Sequence, residues 1–323
     1  MGPGEALLAG LLVMVLAVAL LSNALVLLCC AYSAELRTRA SGVLLVNLSL
    51  GHLLLAALDM PFTLLGVMRG RTPSAPGACQ VIGFLDTFLA SNAALSVAAL
   101  SADQWLAVGF PLRYAGRLRP RYAGLLLGCA WGQSLAFSGA ALGCSWLGYS
   151  SAFASCSLRL PPEPERPRFA AFTATLHAVG FVLPLAVLCL TSLQVHRVAR
   201  RHCQRMDTRR RHRATRKIGI AIATFLICFA PYVMTRLAEL VPFVTVNAQW
   251  GILSKCLTYS KAVADPFTYS LLRRPFRQVL AGMVHRLLKR TPRPASTHDS
   301  SLDVAGMVHQ LLKRTPRPAS THN

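Results

Sequence analysis

The sequence predicts an all-α membrane protein, a bundle of seven spanning helices. The 323 residues are 54% apolar and only 14% charged, with a mean hydropathy of +0.46. A soluble chain would carry nearer a quarter charged residues. The apolar residues gather in long runs, and a helix needs about 20 of them to cross a bilayer. These runs are continuously apolar rather than alternating, which argues against a closed barrel, the other spanning architecture.

In chain order the predicted spans fall near 6–31, 41–67, 78–108, 122–147, 169–198, 213–238 and 248–271. The first is uncharged from Ala6 to Ala34, too long for a signal core, so no cleavable signal peptide is expected. The second holds His52 and Pro61, and the third opens at Cys79. The fourth holds Trp131, the fifth Phe181 and Pro184, the sixth Phe225 to Pro231, and the seventh ends near Pro266. Each proline lacks an N–H and disturbs the helical ladder, as happens in many membrane proteins. The domain reading is a short N-terminal segment (1–5), a spanning unit (6–271), a following helix (272–290) and a basic tail (291–323).

The net charge is +22. In a soluble chain that balance would suggest nucleic acid, but here it is partitioned. Segment 195–217 holds ten Lys/Arg against the single acid Asp207, residues 273–317 hold ten more, and 113–121 hold four. The alternate loops offer only Arg69, Arg71, Arg159, Arg166 and Arg168, offset in part by Glu163 and Glu165. The positive-inside rule then puts the N-terminus outside and the C-terminus in the cytoplasm. The expected partners of the basic surface are anionic lipid and an acidic protein face. Asn47-Leu48-Ser49 matches a glycosylation sequon but falls at a helix start on the cytoplasmic side.

Ten cysteines show no metal-ligand spacing. Cys29, Cys30, Cys129, Cys189 and Cys228 lie within spans as packing residues. Cys79 and a loop cysteine face an oxidising space, where disulfides form. Cys156 and Cys144 are the two candidate partners. No catalytic constellation and no Gly-rich phosphate loop stands out, so neither an enzyme nor a cofactor is implied. A transporter would tend to show repeats between its halves, and none is seen.

At the end of the third span stand Asp103-Gln104-Trp105-Leu106-Ala107-Val108 and Pro111-Leu112-Arg113-Tyr114. Ser22-Asn23-Ala24-Leu25-Val26, Asn47-Leu48-Ser49, Trp131, Pro184, Phe225-to-Pro231 and Asp265-Pro266-Phe267-Thr268-Tyr269 occur in order along residues 5–280. The set resembles rhodopsin-like (class A) G-protein-coupled receptors, within an orphan branch similar to amine receptors. The resemblance implies a short cytoplasmic amphipathic helix 8, with Phe276 at its spacing. It implies a Cys79–Cys156 disulfide, since a loop cysteine paired to the third helix is the family pattern. The implied setting is the plasma membrane, with multiple passes.

The implied ligand pocket centres on Asp86, at the position that pairs with the ammonium of amine ligands. Tyr259 matches the tyrosine that helps hold that aspartate. An Asp inside a span is costly, ~2.5–3.5 kcal/mol on insertion scales, and needs a partner. Lys255 stands one turn above Tyr259 and is the alternative partner, since residues four apart are neighbours. A Lys255–Asp86 pair would favour an acidic or zwitterionic ligand, with Arg236 and His177 contributing; Phe229 and Tyr232 complete the expected lining. Opsins carry their retinal lysine at the position of Tyr259, one turn from Lys255, which argues against retinal.

The implied activation switch comprises Asp103, Gln104, Trp105, His52, Lys261, Asp265, Pro266 and Tyr269. Five positions depart from the family. Gln104 replaces the third-helix Arg, Arg211 falls where the sixth helix often offers an acid, and His52 replaces the second-helix Asp that binds sodium. Ser192 replaces a Tyr and Phe229 a Trp. Lys261 and His52 are expected to replace the sodium ion. The resemblance implies a receptor activating a heterotrimeric G protein, with high basal activity and the stimulatory G protein and adenylate cyclase as output. Arrestin and receptor oligomers are further partners it allows. Gln104 keeps open a non-signalling decoy or receptor-modulating protein. The tail repeats Ala281-Gly282-Met283-Val284-His285 from Ala305, with a period of 24 residues. Thr291, Ser296, Thr315 and Ser320 are candidate phosphoacceptors.

Overall fold

The computed structural model describes residues 2–70, 76–110, 119–202 and 208–290. The Pro111–Tyr114 stretch, the Arg211 side chain and the tail from 291 with its repeat and phosphoacceptors lie outside the described residues. Among the described residues, six helices are long and apolar enough to cross a membrane: Pro3–Tyr32, Ala40–Arg69, Gly77–Ala107, Tyr122–Gly143, Arg166–Val198 and Gly219–Ala238. The seventh, Ala248–Pro266, carries Lys255, Lys261 and Asp265 within 19 residues. It is less apolar because it carries those three charged side chains; all three are buried, and the helix packs along the first and sixth. The chain is a seven-helix bundle, and outer-face side chains such as Leu7, Met14, Leu21, Leu125, Ile227 and Met234 are exposed as a bilayer-facing surface requires.

Among the described residues, three spans are interrupted by π-helical turns: Leu55–Asp59, Ala178–Val182 and Phe267–Leu271. Two of them run into Pro61 and Pro184, and the third follows Pro266. Such turns shift the phase of the side chains after them and occur often at functional sites. A final helix, Arg274–Arg290, begins beyond the last turn. Phe276 is buried against the bundle with Val279, Leu280 and Met283 beside it, and Arg286 lies 5.4 Å from the centre of the Tyr32 ring.

The fourth span is shorter than its predicted 122–147. Its helix ends at Gly143, because Ser145 adopts φ 59° and Trp146 N–H bonds back to the Ala141 carbonyl. The apolar run that continues past it is strand β1, Leu147–Ser150, paired antiparallel with β2, Ser155–Leu158. The hairpin lies over one end of the bundle, fixed by the Cys79–Cys156 disulfide, while Cys144 is free and exposed.

Two glycines let the hairpin sit down. A Cβ on Gly66 would stand 2.1 Å from the Ala154 carbonyl oxygen, and one on Gly251 2.0 Å from that of Ala152. Between these seats Phe153 is wholly buried, edge-on to Tyr232 at 5.3 Å. Two turns into the second span, Asn47 donates to Asn92 and Ser96 and accepts from Trp131 Nε1 at 2.9 Å. The sequon asparagine is thus a tie between the second, third and fourth spans.

Candidate functional site

Two cavities occupy opposite ends of the bundle. The one beneath the hairpin is about 80 Å³ and is lined by Asp86, His177, Phe229, Tyr232 and Lys255, with Leu158 of β2 among its walls. Asp86 reaches it because it lies two turns into the third helix beyond the disulfide. Lys255 Nζ donates to Asp86 Oδ1 at 2.6 Å, so the carboxylate is engaged from within the chain. The ammonium also lies 5.2 Å from the Tyr232 ring centre and 5.1 Å from that of Tyr259, where ring faces attract a cation.

The structure parts Tyr259 from Asp86. Its hydroxyl donates to Asp59 Oδ2 at 2.7 Å and, with that proton committed, accepts from Thr63 Oγ1 at 2.8 Å. The expected Asp86–Tyr259 site is thus replaced by two linked pairs, Asp86–Lys255 and Asp59–Tyr259. The reason is the reach of Lys255: one turn above Tyr259, its long side chain spans to the third helix first. Asp59 has no solvent exposure and is the residue that sequence reasoning missed. The signal was available, since an acid inside an apolar span marks a functional position by default.

Arg236 does not line the cavity. It is a buried anchor for the hairpin, donating to Ser157 Oγ at 2.7 Å, Glu239 Oε2 at 3.0 Å and the Tyr232 hydroxyl at 3.0 Å. Its guanidinium stacks 4.1 Å from the centre of Phe153. His177 is held by its own helix, with Nδ1 2.7 Å from the Thr173 carbonyl oxygen.

Deeper in the bundle, Lys261 donates to Asp265 one turn on, and His52 Nε2 lies 3.6 Å from the other carboxylate oxygen. The ammonium is also 5.5 Å from the Phe225 ring centre and 5.8 Å from that of Phe229. A sodium ion, which the family resemblance implies, does not fit these residues. The Asp265 carboxylate already holds the Lys261 ammonium, and a second cation would add uncompensated charge among buried side chains.

The cavity at the other end is about 580 Å³ and is lined by Gln104, Ser192, Thr224, Thr268, Tyr269 and Arg273, among others. Gln104 Nε2 is buried with no hydrogen-bond partner among the described residues. Asp103 is buried close enough to Tyr122 to act on it electrostatically. Trp105 packs edge-on to Phe110 at 5.6 Å. Pro266 is buried at the start of the π turn that carries Tyr269.

The sequence family described as "7 transmembrane receptor (rhodopsin family)" matches residues 22–269. The chain belongs to the rhodopsin family of seven-transmembrane receptors. It is 93% identical to G-protein coupled receptor 78 of Homo sapiens, over 94% of this chain and 91% of that protein. It is 47% identical to G-protein coupled receptor 26 of Homo sapiens, over 94% of this chain and 96% of that protein. Among more distant relatives, the histamine H2 receptor of Cavia porcellus is 24% identical over 90% of this chain and 82% of that protein. These relatives are signalling receptors, not enzymes. As a member of the family the chain is a multi-pass G-protein-coupled receptor of the plasma membrane.

Proposed function

We propose that this receptor carries an extracellular signal to a heterotrimeric G protein with appreciable basal activity, its output being the stimulatory G protein and adenylate cyclase. The hairpin-capped end faces outside and the basic end, with the C-terminus, faces the cytoplasm. The charge partition supports this orientation, since Lys and Arg collect in segments 113–121, 195–217 and 273–317. Asp86, His177, Phe229, Tyr232 and Lys255 bind the ligand, with Tyr259 and Arg236 acting from behind the cavity wall.

The observation that carries the reading is the 580 Å³ cavity at the basic end, open beside Gln104. A receptor that closes this cavity needs an inward tether there. An amide cannot form the ion pair that an arginine would, and the start of the sixth helix, Arg209 to Arg213, is basic. Lys261 held on Asp265 supports the same reading, because a fixed cation leaves no ion to stabilise the resting state. A shift of ~1.4 kcal/mol changes the ratio of active to inactive states tenfold, within the range of ordinary coupling energies. Anionic lipid, arrestin and further receptor copies are the remaining proposed partners at the basic surface.

A second reading rests on the same Gln104. An arginine there also contacts the G protein, so its loss favours a decoy or receptor-modulating protein. Cyclic AMP measured in cells at graded receptor expression separates the two. The proposed function expects a rise in proportion to receptor with no agonist added; a flat response across the range favours the silent reading.

A further inference from the structure

We infer that Asp59 carries a proton and donates it to Asp86. Asp59, Asp86 and Lys255 then form a cluster of zero net charge, and the cavity beneath the hairpin selects a small ligand that itself has no net charge. The selection rests on that cavity being the ligand site, and it assigns the charge of what enters.

Asp59 holds an orphaned atom. It has no solvent exposure and ends the π turn of the second span, Leu55–Asp59. Its Oδ2 accepts from Tyr259 at 2.7 Å, while Oδ1 is buried with no donor among the described residues. Besides Tyr259, its hydrogen-bonding neighbour is the Asp86 side chain. Two bare carboxylates repel and cannot bond each other, but one proton between them makes a bond. Lys255 decides which acid keeps that proton. It donates to Asp86 Oδ1 at 2.6 Å, and an ammonium bound so closely favours the ionised form of its partner. Asp59 is therefore the acid. Its O–H donates to Asp86, its carbonyl oxygen accepts from Tyr259, and Tyr259 accepts in turn from Thr63.

The charges then balance. The titratable groups set against Asp59 are Asp86 from the third helix and Lys255 and Tyr259 from the seventh, with Tyr232 of the sixth flanking Lys255. One ammonium cancels one carboxylate, as buried charge requires. Arg236 and Lys261 are committed elsewhere. Asp86 is engaged by two donors, Lys255 and Asp59, so a simple monocation entering the cavity meets no uncompensated negative charge. What the cavity offers instead is donors. Lys255 lines it with N–H groups to spare, and so does Ser91, whose hydroxyl is buried without a partner among the described residues. These suit the oxygen acceptors of a zwitterion or an uncharged molecule, and about 80 Å³ restricts it to a small one.

Infrared difference spectroscopy on the full-length receptor in lipid nanodiscs, near neutral pH, tests the proton. A protonated carboxyl has a C=O stretch apart from the carboxylate bands, and the stretch shifts in D2O. Wild type minus Asp59→Asn is expected to show one such band. Asparagine keeps both contacts, its amide donating to Asp86 and its oxygen accepting from Tyr259. No band means that both acids are ionised and overturns the inference. Wild type minus Asp86→Asn is expected to show the band as well, because Lys255 then has only Asp59 to neutralise it. A band that persists in Asp86→Asn overturns the shared proton, so either variant decides if the other does not fold. For the selection, ethylammonium chloride against matched sodium chloride is expected to leave the thermal midpoint of the wild type unmoved. A saturable rise, the mark of a ligand bound only by the folded state, overturns it. Neither readout involves cyclic AMP, so failure of the signalling function and failure of the proton assignment are separately visible.

Discussion

The Ala154 carbonyl oxygen lies 2.1 Å from where a Cβ on Gly66 would stand, so the hairpin and the second span touch backbone to backbone. Gly66→Ala must push the hairpin off its seat. Overpacking of this kind costs about 1–3 kcal/mol. The thermal midpoint of the purified receptor is expected to fall for Gly66→Ala and for Gly251→Ala. Gly139→Ala, where nothing lies within 4 Å of the added Cβ, is expected to leave it unchanged or slightly raised. Equal behaviour of all three would remove the glycine seats from the account.

Arg236 joins the sixth span to β2 and stacks on Phe153. Truncating one partner of a buried ion pair costs about 3–5 kcal/mol, and the partial exposure of Glu239 puts Arg236→Ala toward the low end. Arg236→Lys is expected to recover part of the loss, since an ammonium keeps one bond but not the planar fork. Unfolding midpoints of the three proteins check this, and a lysine as good as arginine would show that charge alone matters.

Lys261 occupies the carboxylate of Asp265. Exchanging sodium for choline in the buffer is therefore expected to leave the thermal midpoint of the wild type unmoved. Lys261→Ala frees Asp265 and is expected to make the midpoint sodium-dependent. A wild type already sensitive to sodium would count against the built-in cation.

Gln104→Arg restores the family residue without its acid. Basal cyclic AMP per receptor is expected to stay within about threefold of wild type, short of the tenfold that ~1.4 kcal/mol would bring. Adding Arg211→Glu supplies the acid and is expected to lower it further. A silent single variant would mean that the introduced arginine finds another partner.

The sequence made the bundle legible because the bilayer imposes long apolar helices on any chain that crosses it. The disulfide was readable as well, once Cys156 was set against Cys144 by resemblance. The fourth-span boundary was not: Trp146 and Leu147 are as apolar as the helix before them, and only the backbone turn at Ser145 separates helix from strand. Arg236 read as a ligand contact because its charge and position fit one; its role as a hairpin anchor depends on Ser157, 79 residues away in sequence.

The sequence by itself determined the class of protein, the order of its spans, and that Asp86, Lys255, Lys261 and Asp265 lie inside them. It could not pair those groups. Asp86 could pair with a ligand held beside Tyr259 or with Lys255, and Asp59 was not read at all. Only the tertiary structure chose Lys255 for Asp86 and Tyr259 for Asp59. Pairing depends on side-chain reach across helices and on the π turn that carries Asp59, distances of a few ångströms that no spacing along one chain encodes.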